Sequence, residues 1–251
     1  CLRIKPISNK TSEGFIQVGV EQYGGLIAHS WFDRDLSIAG RVYFSDDSGA
    51  CKSKLIKIDK PLLRIPTLAI HLDRGVNTKF EFNKETKLVP IAGQVNKEEE
   101  KKPKSCADDP NLQLTEEEFH SVQTVITRHN GSLVELIAKE CGCKPENLED
   151  FELILFDHQK SVIGGLHDEF IFSPRLDNLA SCYCAIKGIV GSCSNLDTSS
   201  TIQLISLFDH EEIGSVSAQG ADSTFLPDVL SRLTYGLYNE PVLQQVMANS
   251  F

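Results

Sequence analysis

Apolar and polar positions alternate in short runs over the first third of the chain. Residues 15–20, 36–44, 55–58 and 68–72 are rich in Val, Ile, Leu and Phe, and Gly, Pro and Asp separate them. This rhythm predicts an antiparallel sheet, with residues 1–6 reading as a further strand cut at its start. From Leu112 the rhythm lengthens. Thr115 with Glu118 three residues on is a capping-box pattern, opening a helix through Phe119, Val122, Val125 and Ile126. A second helix is predicted over 132–140, stopped by Gly142, and a strand over 151–157. A long helix follows Asp177, with Leu179, Ala180, Tyr183, Ile186, Ile189 and Val190 as its apolar positions. Residues 203–208 read as a buried strand, and 227–238 and 241–247 as helices with proline in the first turn. Strands alternating with helices predict a sheet covered on both faces. Between the two textures, residues 93–111 include Lys97-Glu98-Glu99-Glu100-Lys101-Lys102-Pro103-Lys104, which has nothing to bury and reads as a mobile surface loop.

Charge narrows the partners. Of 251 residues, 25 are Lys or Arg and 35 are Asp or Glu, a net charge of -10. Phosphate neutralisation needs clustered cations, so nucleic acid and anionic membrane surfaces are excluded as main partners. No apolar run approaches the roughly 18 residues of a spanning helix. The eight cysteines include Cys141-Gly142-Cys143 and Cys182-Tyr183-Cys184, spaced by one residue and not by the two or more of a zinc knuckle. They read as reduced structural thiols of a cytoplasmic protein.

Two predicted strands end in acid. Phe172-Ser173-Pro174-Arg175-Leu176-Asp177-Asn178 delivers Asp177 to the start of a helix, where aspartate alone reads as an N-cap. Leu207-Phe208-Asp209-His210-Glu211-Glu212-Ile213-Gly214-Ser215 reads as a buried strand running directly into two adjacent glutamates. In open α/β sheets ligands bind beyond the carboxyl ends of strands, and two neighbouring acids there are costly unless they face water or a cation. A carboxylate can bridge two metal ions that activate water, while a second acid that is not a ligand takes the proton. Adjacent glutamates can divide those roles. Asp209 and His210 read as structural.

These segments resemble the metal-site motifs of the aspartyl aminopeptidases, a family of co-catalytic dizinc exopeptidases. Trp31-Phe32-Asp33-Arg34-Asp35-Leu36, Arg64-Ile65-Pro66-Thr67-Leu68-Ala69-Ile70-His71-Leu72 and Leu88-Val89-Pro90 match further family segments. The resemblance implies an α/β metallopeptidase-type α/β/α sheet domain with an inserted β-rich dimerisation domain. The divisions are 1–10 for the start of the catalytic domain, 11–145 for the dimerisation domain with its charged loop, and 146–251 for the rest of the catalytic domain. It also implies two Zn2+ per complete subunit, with Asp177 bridging them, Glu212 a ligand of one, and Glu211 the general base touching substrate. A lone histidine in an apolar strand reads as a packed core residue. The resemblance instead implies that His71 contacts substrate in a neighbouring subunit's site, within a large homo-oligomer. His29, His167 and His210 read as structural.

The family also carries a His-Thr-Asp-Ser-Pro segment before the position of Cys1, a Ser-Ala-Asp-Met-Ala-His segment beyond that of Phe251, and a later histidine ligand. The expectation is therefore an internal piece of such an enzyme, short of metal ligands and inactive alone. The implied activity is release of N-terminal Asp or Glu from peptides. No basic group for an acidic specificity pocket is identifiable. A relative preferring neutral or apolar N-termini is one alternative, and a non-catalytic oligomerisation module is another.

Overall fold

The computed structural model describes residues 1–95, 124–235 and 240–250. The capping-box helix from Thr115 and nearly all of the charged loop lie outside the described residues. The chain divides into two compact units, Cys1–Ser161 and Val162–Phe251. Its class is mixed α/β.

The first unit is built on a six-stranded antiparallel sheet: β1 Leu2–Ser12, β2 Phe15–Gln22, β3 Leu36–Ser45, β4 Cys51–Lys57, β5 Ile91–Gln94 and β6 Leu148–Asp157, in the order β4-β3-β6-β1-β2-β5. The alternation read over 15–20, 36–44 and 55–58 corresponds to β2, β3 and β4. Residues 93 and 94 complete β5 and do not belong to a loop. The strand read over 151–157 is β6. It is wedged between β3 and β1 and pairs with β3 from Leu36↔Asp157 to Phe44↔Leu148, so it belongs to the first sheet.

The core follows from this pairing. Leu2, Leu36, Ile38, Val42, Leu153 and Leu155 are almost fully buried. Each such side chain contributes about 1.5–3 kcal/mol relative to exposure. Helix α1, Lys84–Lys87, is a single turn capped by Asn83. Helices α2, Val125–Arg128, and α3, Gly131–Cys141, add Val125, Leu133, Val134, Ile137 and Ala138 to the same cluster. The Asn130 side chain caps α3, and Gly142 ends it at φ 80, a left-handed position where a residue without Cβ pays least. One polar pair is sealed inside: Ser8 Oγ lies 2.8 Å from His129 Nδ1.

Two expected strands are absent. Residues 68–72 turn instead, with the Leu72 N–H donating to Ala69 O at 2.8 Å. Leu68, Ile70 and Leu72 are exposed. Residues 201–208 carry no regular element, and Leu204, Ile205, Leu207 and Phe208 are 37–50% exposed. The reason is common to both: an apolar run becomes a strand only where a neighbour pairs its N–H and C=O groups. Among the described residues none pairs with these.

In the second unit, β7 Val162–Gly164 pairs with β8 Phe170–Phe172. The long helix, α4, spans Leu176–Ser192, and α5 and α6 span Phe225–Thr234 and Glu240–Ala248. The α4 stripe of Leu179, Tyr183, Ile186 and Val190 is 45–63% exposed, so the expected cover over that helix is not formed by the described residues.

Candidate metal centre

The two acidic segments both lie in the second unit, as irregular backbone beside regular elements. After β8, Pro174 blocks early helix formation. Arg175 then takes φ 64, and Asp177 keeps an extended conformation (φ -85, ψ 118) inside the first turn of α4. The Asp177–Asn178 peptide is cis.

The second segment folds on itself. His210 (φ 63), Gly214 (φ 95) and Ser215 (φ 61) are all left-handed, bracketing one 3-10 turn at Glu211–Ile213. Each non-glycine residue in that region costs about 1–2 kcal/mol, and local hydrogen bonds offset it. Ser215 N–H donates to His210 O at 3.1 Å, Asp222 N–H to Ser215 O at 3.0 Å, and Asp209 N–H to Gln219 O at 2.9 Å. His210 Nδ1 lies 2.6 Å from Ser217 Oγ, so this imidazole is engaged within its own loop. Gly220 is buried against the Ser215 carbonyl, where a Cβ would fall 2.0 Å from the oxygen.

The two segments meet through one side chain. Asn178 Nδ2 donates to Glu211 Oε2. That bond brings the residue next to Asp177 against the first of the paired glutamates. Asp177, Glu211 and Glu212 are solvent-exposed. His71 is also exposed and belongs to the first unit.

Carboxylate oxygens such as those of Asp177 and Glu212 are suitable zinc ligands, and zinc takes four ligands in closed sites and three plus water in catalytic ones. Among the described residues no group of three or more His, Cys, Asp or Glu is placed to hold an ion. The residues fit zinc in kind, then, and could supply only part of a shell. Asn178 lies within the Arg175-Leu176-Asp177-Asn178 motif, but nothing in its spacing indicates that its amide reaches across to Glu211. Ser217 and Gly220 carried no sequence signal for their roles in the loop.

Known proteins share this architecture. The profile of the aminopeptidase I zinc metalloproteases (M18) matches residues 1–251. The aspartyl aminopeptidase of Aspergillus oryzae is 55% identical over 240 residues, covering 93% of this chain and 48% of that protein. Among solved structures, the cryo-EM structure of the Ape4 and Nbr1 complex superposes with a TM-score of 0.82 at 45% identity, over 98% of this chain and 45% of that one. The mApe1 dodecamer of Saccharomyces cerevisiae gives 0.68 at 29%, over 93% and 46%. The chain spans about half the length of the relatives it matches. The match to the family profile over residues 1–251, with 55% identity to the Aspergillus oryzae enzyme across 93% of the chain, makes this chain a member of the M18 family of zinc aminopeptidases.

Proposed function

We propose that the complete protein is a cytoplasmic zinc aminopeptidase that releases Asp or Glu from peptide N-termini. The observation that carries this reading is the hydrogen bond from Asn178 to Glu211, which joins the two acidic segments. Asp177 would hold two zinc ions between its oxygens, and Glu212 one of them. Further ligands would come from outside the described residues. Zinc, when bound, lowers the pKa of a water to about 7. Glu211 takes the proton of the attacking water on a carboxylate oxygen and hands it to the leaving amine, so the proton count closes. Asn178 keeps that carboxylate in one orientation. The name of the Aspergillus oryzae relative supports an acidic N-terminal residue.

The working form would be a large homo-oligomer, in which His71 of one subunit donates a hydrogen bond to substrate in its neighbour's site. Its exposure on a projecting turn supports this role. Among the described residues, the absence of a disulfide at Cys51, Cys141, Cys143, Cys182, Cys184 and Cys193 is consistent with a reducing compartment. Among the described residues no helix is long and apolar enough to cross a membrane.

The test is Glu211→Gln in the complete protein. Hydrolysis of an aspartyl peptide should fall by about 10²–10⁴, with zinc content by elemental analysis unchanged. Near-normal turnover refutes the role of Glu211.

A further inference from the structure

We propose that Phe32 and Asp33 are positioning residues for His71, because together they grip both ends of the projecting segment that carries it. This rests on the reading of His71 given above. The segment leaves the sheet after Ile65, which is fully buried, and returns at Phe82. Between those points it is almost wholly exposed, with Leu68 at 61% and Leu72 at 75%.

Its outgoing end is tied to Asp33. The Thr67 N–H donates to Asp33 Oδ1 at 3.0 Å, and the Thr67 hydroxyl donates to Asp33 Oδ2 at 2.5 Å. The Asp33 N–H in turn donates to Ile65 O at 2.9 Å. The hydrogen bond from the Thr67 hydroxyl holds the Asp33 carboxyl below its usual range. The returning end is tied to the preceding residue. The rings of Phe80 and Phe82 lie 5.1 and 4.7 Å from Phe32, both edge-on, and Phe32 and Phe82 pack on the main core. Asp35 adds an ion pair to Arg64 at 2.7 Å, just before the segment departs.

A group that must reach a reacting centre from a projecting segment is only as well placed as the segment's root. A displacement of about 1 Å can cost about 10²-fold in rate. Two anchors on adjacent residues set the direction of the whole segment, whereas one anchor would leave it free to pivot.

The experiment compares kcat and KM for an aspartyl peptide in the complete enzyme and four variants: Asp33→Ala, Asp33→Asn, His71→Phe, and Asp33→Ala with His71→Phe. Asp33→Ala should lower kcat by about tenfold, as expected for loss of a charge-assisted hydrogen bond. KM and zinc content should hold. The double variant should be no slower than His71→Phe alone. Asp33→Asn, whose amide oxygen still accepts from Thr67, should recover part of the loss. Thr67→Val, which keeps the backbone bond, gives a milder version should Asp33→Ala fold poorly. Multiplying effects of Asp33→Ala and His71→Phe overturn the proposal, as does a wild-type kcat for Asp33→Ala beside an impaired His71→Phe. A silent His71→Phe instead overturns the reading of His71 itself, and the positioning role with it.

Discussion

Exchanging Gly220 for alanine tests whether the 209–222 loop must keep its shape for Glu211 and Glu212 to act. The new Cβ would lie 2.0 Å from Ser215 O and 2.5 Å from its carbonyl carbon. Carbon and oxygen settle no closer than about 3.3 Å even in weak C–H hydrogen bonds, so the two backbone stretches must part by roughly 1.3 Å. Both are main chain, and no side-chain rotation relieves the contact. The bonds that would lengthen are those from Asp222 N–H to Ser215 O and from Asp209 N–H to Gln219 O, which close the loop behind the glutamates. Overpacking of this kind costs about 1–3 kcal/mol, which lowers Tm by about 2–4 °C for each kcal/mol in a domain of this size. The effect on rate should be far larger in proportion, because about 1 Å of misplacement can cost about 10²-fold. Steady-state hydrolysis of an aspartyl peptide by the complete enzyme, with calorimetry on the same samples, separates the two. The expected pair is a kcat about 100-fold lower and a Tm lower by several degrees. A kcat within twofold of wild type would refute the claim that the loop's shape aims the acids.

If Asp177 bridges two zinc ions as proposed, Asp177→Ala should abolish binding of both in the complete enzyme; elemental analysis reads this directly, and retention of one zinc refutes the bridge. Mixing His71→Phe subunits with Glu211→Gln subunits should restore partial activity, because some sites then combine an intact Glu211 with a neighbour's intact His71; no recovery after subunit exchange refutes catalysis across the interface. Burial, helped by the nearby Arg128 charge, pushes the His129 imidazole down to about 4, from an ordinary value of about 6.5 in the unfolded chain. Between those values the unfolded chain binds the proton and the native protein does not, so stability should fall as pH drops from about 6.5 to about 4, by up to about 3 kcal/mol. His129→Gln should flatten melting temperature across that window, and an unchanged slope assigns the effect elsewhere.

The sheet strands β2, β3 and β4 were legible because their alternation is a property of each segment alone. The same holds for α3, whose stop signal at Gly142 acts locally. Pairing is not local. Residues 203–208 and 68–72 carry the same apolar signature as β6, yet only β6 finds neighbours on both edges among the described residues. The candidate site divides in the same way. Its carboxylates were visible as acids at the ends of apolar runs. The Asn178–Glu211 bond joins residues 33 apart, and the Asp33–Thr67 bonds join residues 34 apart. No spacing rule encodes contacts across that distance between irregular segments.

The position of β6 has a consequence for how the chain reaches this state. Arg3 on β1 bonds Glu152 on β6, 149 positions further along the chain, and β3 takes β6 as its partner from Leu36 to Phe44. The hairpins β1–β2 and β3–β4 can each close early, since their strands are neighbours in the sequence. They cannot join into one sheet until β6 arrives between them. Long-range pairing is slow because loop entropy is lost before contacts compensate it. During synthesis at about 5–20 residues per second, more than a hundred residues separate the making of β1 from that of its central partner. Throughout that interval β1 and β3 each present an open edge, the form of strand most prone to pair with another chain. The nascent protein is therefore most vulnerable to aggregation before its sheet closes, and binding at those two edges is where a chaperone would protect it best.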